Sequence, residues 1–141
     1  MFTVSVLKKE EWLDSWEMHR CYARVFHGER SVKAEKPDFV MVCKEGEKLR
    51  AFITCIEMDS ETIYWQFGGV FEEIKRSLKV SSILKTYLDE AAMLGYKRVA
   101  IRVENDNIPW LRLAMGFGFR VVGTYTFKSK VLVELVNELG G

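Results

Sequence analysis

Between residues 61 and 104 the sequence changes its period twice. "ETIYWQFGGVF" (61–71) is β-branched and aromatic and reads as a strand. Val80, Ile83, Leu84, Tyr87, Leu88, Ala91 and Ala92 then recur at three- and four-residue steps, the spacing of one helical face. Gly95 follows, where a helix commonly closes on a left-handed residue. "KRVAIRVE" (97–104) is a strand again. A strand, a helix over 77–94 and a second strand make a crossover unit. Such a unit predicts two parallel, neighbouring strands joined by a right-handed connection, with Val80, Ile83, Leu84, Tyr87, Leu88 and Ala91 buried against the sheet.

The flanking sequence extends the sheet on both sides. "FTVSVL" (2–7) alternates as a strand does, and the apolar spacing over 10–26 suits a helix. "DFVMVCK" and "LRAFITCIEM" are strands, joined at Gly46 as a hairpin. Asn107 can cap a short helix over 107–115, with Pro109 in its first turn and Gly116 closing it. "FRVVGTYTF" and "KVLVELV" end the chain as two strands joined by "KSK". The order is β-α-β-β-β-α-β-α-β-β, an α/β or α+β class with a mixed sheet of seven strands.

Composition removes several classes. The 141 residues fit one domain, and 21 basic against 20 acidic side chains leave a net charge of +1. That balance gives no reason to expect nucleic acid or an anionic membrane surface as partner. The N-terminal residues lack a signal-peptide core, and no apolar run reaches the length of a membrane span. Cys21, Cys43 and Cys55 show no metal-ligand spacing and read as buried thiols in a reducing compartment, the cytoplasm. Trp12, Trp16, Trp65 and Trp110 lie on apolar faces and read as core.

"KRSLKVSS" (75–82) stands at the start of the long helix. A helix start presents unpaired N–H groups and the positive end of the dipole, both favourable to a phosphate. Arg76 and Lys79 add charge, and Ser77, Ser81 and Ser82 add hydroxyls. The plainer reading is a helix that needs only a cap, with Ser77 supplying it and Lys79 solvated. Gly68 and Gly69, just before, suit either a bulge or a ligand that approaches the strand's backbone.

"VENDNIPWLRLAMGFGFRVVGTYTF" resembles the C-terminal half of the GCN5-related N-acetyltransferase (GNAT) superfamily, in which a strand ends in Asn, a short helix follows and a Gly-Phe pair opens the next strand. The element order is similar over essentially the whole chain. The family's phosphate loop, Arg/Gln-x-x-Gly-x-Gly/Ala, falls on Arg76, with Lys79 and Ser81 where its glycines stand. A Tyr often found four residues before the Gly of Gly-Phe falls on Ala114. The resemblance implies one acyl-CoA-binding domain over 1–141, with a strongly twisted sheet flanked by helices, that moves an acetyl group from acetyl-CoA to a primary amine of a small molecule or a protein.

On the same ground, the diphosphate falls to Arg76, Ser77, Lys79, Val80, Ser81 and Ser82. The pantetheine falls to the strand at Gly69, Val70 and Phe71, with Asn107 also at the cofactor. A general base must take a proton from the amine, and Glu104 or His27 is placed to be one; Tyr64, on the strand face opposite Trp65, or Tyr125 is the candidate acid. The family also often pairs its C-terminal strands, which implies a homodimer. Two other readings stand beside the enzyme. One is a non-catalytic GNAT-like protein, of the kind encoded by phages, that has lost CoA chemistry; the other is a generic α/β binding domain.

Overall fold

The computed structural model describes residues 2–8, 37–70 and 79–139, with 67–70 and 79 given by their backbone alone. Among these residues are seven strands, β1 (Phe2–Lys8), β2 (Phe39–Glu45), β3 (Lys48–Glu57), β4 (Thr62–Val70), β5 (Arg98–Glu104), β6 (Arg120–Phe127) and β7 (Lys130–Glu138). Two helices accompany them, α1 (Lys79–Met93) and α2 (Ile108–Gly116). The strand order is β1-β2-β3-β4-β5-β7-β6 in one sheet. The helix expected over 10–26 and the helix start expected at 77 lie outside the described residues.

β4 and β5 run parallel, with Thr62 opposite Arg98, Ile63 opposite Val99 and Tyr64 opposite Ala100. The other described pairings are antiparallel. The crossover therefore exists, and the fold is mixed α+β. Ile83, Leu84, Tyr87, Leu88 and Ala91 of α1 are buried as expected. Val80 is only half-buried and Ala92 is exposed, contrary to the reading of one apolar face. Each four-residue step overshoots a full turn by about 40°. The row 80–84–88–92 thus drifts across the stripe and leaves it at both ends.

The chain divides into two compact units, 1–56 with 66–87 and 57–65 with 88–141. In the first, Val40, Met41, Val42 and Cys43 are buried in succession on β2. Both faces of that strand are covered, which is why its sequence does not alternate. β2 turns into β3 at Gly46, whose φ of +63° is a glycine conformation.

In the second unit alternation is clean. Val99, Ile101 and Val103 are buried while Arg102 and Glu104 are exposed. Register carries the pattern across, since Ile101 faces Leu135, itself fully buried. Trp65 packs at 6.1 Å from Phe119 on this inner side; Trp110, expected in the core, is half-buried. β7 lies between β5 and β6, so the penultimate strand in sequence forms the edge.

Both helices end in the same way. At α1, Tyr96 N–H donates to the Ala91 carbonyl and Gly95 N–H to that of Ala92, with Gly95 at φ +97°. At α2, Phe119 N–H donates to Ala114 and Gly118 N–H to Met115, with Gly118 at φ +96°. This is the Schellman pattern. The closing residue of α2 is therefore Gly118 and not Gly116, which is the last helical residue. The terminus is fixed by which residue must turn left-handed, and two nearby glycines leave the sequence ambiguous. At the other end the Asn107 side chain accepts the Trp110 N–H at 3.4 Å, and Pro109 sits in the first turn.

Candidate functional site

The described part of α1 begins at Lys79, followed by Val80, Ser81 and Ser82. Val80 and Ser81 are half-buried, and Ser82 is exposed with its carbonyl accepting from Thr86 Oγ1 at 2.7 Å. Gly69 and Val70 end β4, described by backbone alone, and Phe71, Arg76, Ser77 and His27 lie outside the described residues.

Past the strand pair the geometry changes. Among the described residues the β4–β5 ladder covers three pairs and ends at Tyr64 opposite Ala100, while β4 continues to Val70 and β5 to Glu104. Tyr64 projects from the face opposite the inner one, since its neighbour Trp65 is buried. Beside it stands Arg102, which the sequence alone did not single out. The Arg102 guanidinium lies 5.6 Å from the Tyr64 ring centroid and 4.4 Å from that of Tyr125. Arg102 Nε is 3.3 Å from Glu134 Oε1, the residue directly opposite on β7. Tyr125 also stacks on Phe127, centroids 6.3 Å apart.

Four strands each supply one member of this cluster. Burial raises the Tyr64 phenol above its ordinary value; the Arg102 charge pulls it back and Glu134 pushes it up again. Among the described residues the Tyr64 hydroxyl has no hydrogen-bond partner. A phenol so placed stays protonated through neutral pH and can donate.

Glu104 lies on the same face, two residues beyond Arg102, and accepts from Lys130 Nζ at 3.0 Å. Asn107 is engaged as the α2 cap. Ala114 is buried at 1% exposure, with its carbonyl engaged in the helix end. Asn137 is a second residue the sequence analysis missed. It is buried, and its Nδ2 donates to the Phe117 carbonyl at 2.8 Å, tying the end of α2 to β7. A lone Asn inside "LVELVNEL" was the available signal, because an amide on an inward position needs a partner.

The described cysteines are buried and free. Burial pushes the Cys43 thiol up to about 11 and raises Cys55 further. A thiol held this way is not a nucleophile near neutrality. Among the described residues no cluster of His, Cys, Asp and Glu could hold a metal, and no helix is long and apolar enough to cross a membrane.

No family model matches the sequence, and no curated protein matches it. Solved structures do match. A GNAT family acetyltransferase from Elizabethkingia anophelis with acetyl-CoA bound is similar at TM-score 0.73 and 15% identity, over 97% of each chain. The ribosomal-protein-S18-alanine N-acetyltransferase of Escherichia coli is similar at TM-score 0.72 and 15% identity, over 100% of this chain and 96% of that one. Mutant forms of the spermidine/spermine N-acetyltransferase SpeG from Vibrio cholerae are similar at TM-score 0.72 and 11% identity, over 99% and 95%. At such identities the likeness is one of fold.

Proposed function

We propose that this chain, which has the GNAT fold, is an N-acetyltransferase that moves the acetyl group of acetyl-CoA to a primary amine by direct attack on the thioester. The observation that carries the reading is the crossover itself. β4 and β5 pair in parallel over Thr62–Tyr64 and Arg98–Ala100, with α1 between them in the chain. In this reading backbone N–H groups of β4 take the thioester oxygen and its oxyanion, and the start of the crossover helix takes the diphosphate.

In this reading 1–141 is one acyl-CoA-binding domain. Arg76, Ser77, Lys79, Val80, Ser81 and Ser82 hold the diphosphate, with side chains doing what glycine backbone does elsewhere in the fold. Gly69, Val70 and Phe71 run beside the pantetheine, with Asn107 nearby. Glu104 or His27 takes the proton of the incoming amine, and Tyr64 serves the leaving thiolate. Much of the acceleration comes from holding the two reactants together. The acceptor is a small-molecule or peptide amine, and the chain works in the cytoplasm. It pairs as a homodimer through β6, the edge strand, where Val121, Val122, Tyr125 and Phe127 are exposed. Light scattering on the order of tens of micromolar protein should report a dimer, and a monomer would remove that part of the reading.

The test of function is binding first, turnover second. Acetyl-CoA should raise the melting temperature by mass action, less so as salt rises. Lys79→Ala should weaken binding by about 1–3 kcal/mol, the range for hydrogen bonds to charged groups. Lys79→Gly with Ser81→Gly should bind no better than wild type. Turnover is then read with spermidine and with a peptide bearing an N-terminal alanine. No thermal shift at about millimolar acetyl-CoA, the weak end of useful affinity, sinks the enzyme reading. A non-catalytic GNAT-like protein would then take its place. Two observations favour that second reading: Glu104 is already engaged by Lys130, and Ala114 brings no hydroxyl.

A further inference from the structure

We propose that Arg102 is a positioning residue that holds the Tyr64 ring in one orientation, so that its hydroxyl can protonate the departing thiolate. The inference rests on the acyltransferase reading above and adds to it a residue and a role.

The argument begins with register. Tyr64 stands opposite Ala100. Arg102, two residues along on the same face of β5, reaches the ring at 5.6 Å. Its own freedom is removed from two further sides. Glu134 is opposite it on β7 and takes Nε at 3.3 Å, and the Tyr125 ring of β6 lies 4.4 Å from the guanidinium carbon. A planar guanidinium suits this arrangement because it can stack on rings and bond a carboxylate at its edge at once.

The neighbouring charges set a contrast. Half-buried Arg98 pairs with Glu138 and Glu61 and donates to Thr62 Oγ1, and exposed Lys130 pairs with Glu104. Among the described residues no ring lies over either cation. Among the described residues, only at Arg102 do an ion pair and two aromatic rings converge, beside the last described pair of the parallel ladder. Nothing among the described residues bonds the Tyr64 hydroxyl. The ring is thus oriented through its face, and the hydroxyl is left to donate.

The step balances as acyl transfer does. The amine nitrogen forms a bond to the carbonyl carbon, and the C–S bond breaks. The departing sulfur takes the phenol proton. The ammonium loses two protons overall; one returns to the phenolate through water and the other leaves to solvent.

The experiment compares Arg102→Met, Arg102→Lys, Tyr64→Phe and the double variant Arg102→Met/Tyr64→Phe. Two readouts are used. The first is kcat and KM with acetyl-CoA and the better of the two acceptors named above. Arg102→Met should lower kcat about tenfold or more, within the reach of a lost acid, with KM for acetyl-CoA changed less than about twofold. Arg102→Lys should recover part of the loss. The double variant should be no slower than Tyr64→Phe alone, because the arginine acts only through the phenol. Unchanged kcat in Arg102→Met, or losses that multiply in the double variant, would overturn the proposal.

The second readout is 19F NMR of 3-fluorotyrosine placed at position 64. One sharp resonance is expected in the otherwise wild-type chain, shifted and exchange-broadened in Arg102→Met. If the wild type binds acetyl-CoA but shows no turnover, the acid role falls with the activity. If it does not bind at all, the functional reading fails on its own account. In either case an unchanged 19F line in Arg102→Met would show that the arginine does not position the ring, and a shifted line would retain that half of the proposal.

Discussion

The two faces of the strands β4, β5, β7 and β6 in the second unit are built on different physics. The inner face is Ile63, Val99, Ile101, Val103 and Leu135, all buried. The outer face carries Tyr64, Arg102, Glu104, Tyr125, Lys130 and Glu134, half-buried or exposed. The inner face is held by removal of apolar area from water, which is non-directional and tolerant of detail. The outer face is held by directed contacts in a solvent that screens them. Strand alternation gives the two faces to alternate residues of the same strands, so stability and the proposed chemistry can be changed separately.

The largest expected effect is on the inner side. Leu135→Ala should destabilise by about 2–5 kcal/mol, the range for a fully buried leucine, measured by chemical denaturation. A loss under about 1 kcal/mol would mean that this face is less well packed than its burial implies.

Asn137→Ala comes next, because it tests a polar group on the apolar face. It leaves the Phe117 carbonyl without its 2.8 Å donor and should cost about 1–3 kcal/mol. If denaturation midpoints do not move, the tie between β7 and the end of α2 contributes nothing.

The third test concerns the hairpin that joins β6 to β7. Lys128 and Ser129 form its loop with φ of +47° and +68°, two successive non-glycine residues in the left-handed region. That conformation costs about 1–2 kcal/mol per residue for ordinary side chains. Ser129→Gly should therefore raise stability by about 1 kcal/mol, a gain reduced by the greater freedom of glycine in the unfolded chain. A destabilised variant would show that the serine makes a compensating contact.

The smallest effect belongs to the outer face. Lys130→Gln removes the partner of Glu104 and should change stability by less than about 1 kcal/mol, as exposed ion pairs do. Its value is in sharpening the contrast: a loss comparable to that of Leu135→Ala would erase the distinction between the faces.

Much of this arrangement was legible before any coordinates. "KRVAIRVE" read as a strand, and the apolar spacing with Gly95 marked α1 and its end. These features are local, set by the periods of strand and helix and by the one residue that turns left-handed without strain. The element order, and with it the likeness to GNAT, follows from the same signals. They fail where two local answers compete. Gly116 and Gly118 both suit a helix end, and Ala92 fits an apolar pattern on which it does not lie.

What the sequence by itself determined, then, is the succession of elements and the residues that turn inward. Only the tertiary structure decided the neighbours that no crossover or hairpin announces. It inserted β7 between β5 and β6, left β6 at the edge, and brought Tyr64, Arg102, Tyr125 and Glu134 from four strands to one place. The physical reason is that a strand's own sequence specifies its faces but not its partner. Register depends on hydrogen bonds and packing between segments up to 70 residues apart (Tyr64 to Glu134), and those have no local period to read.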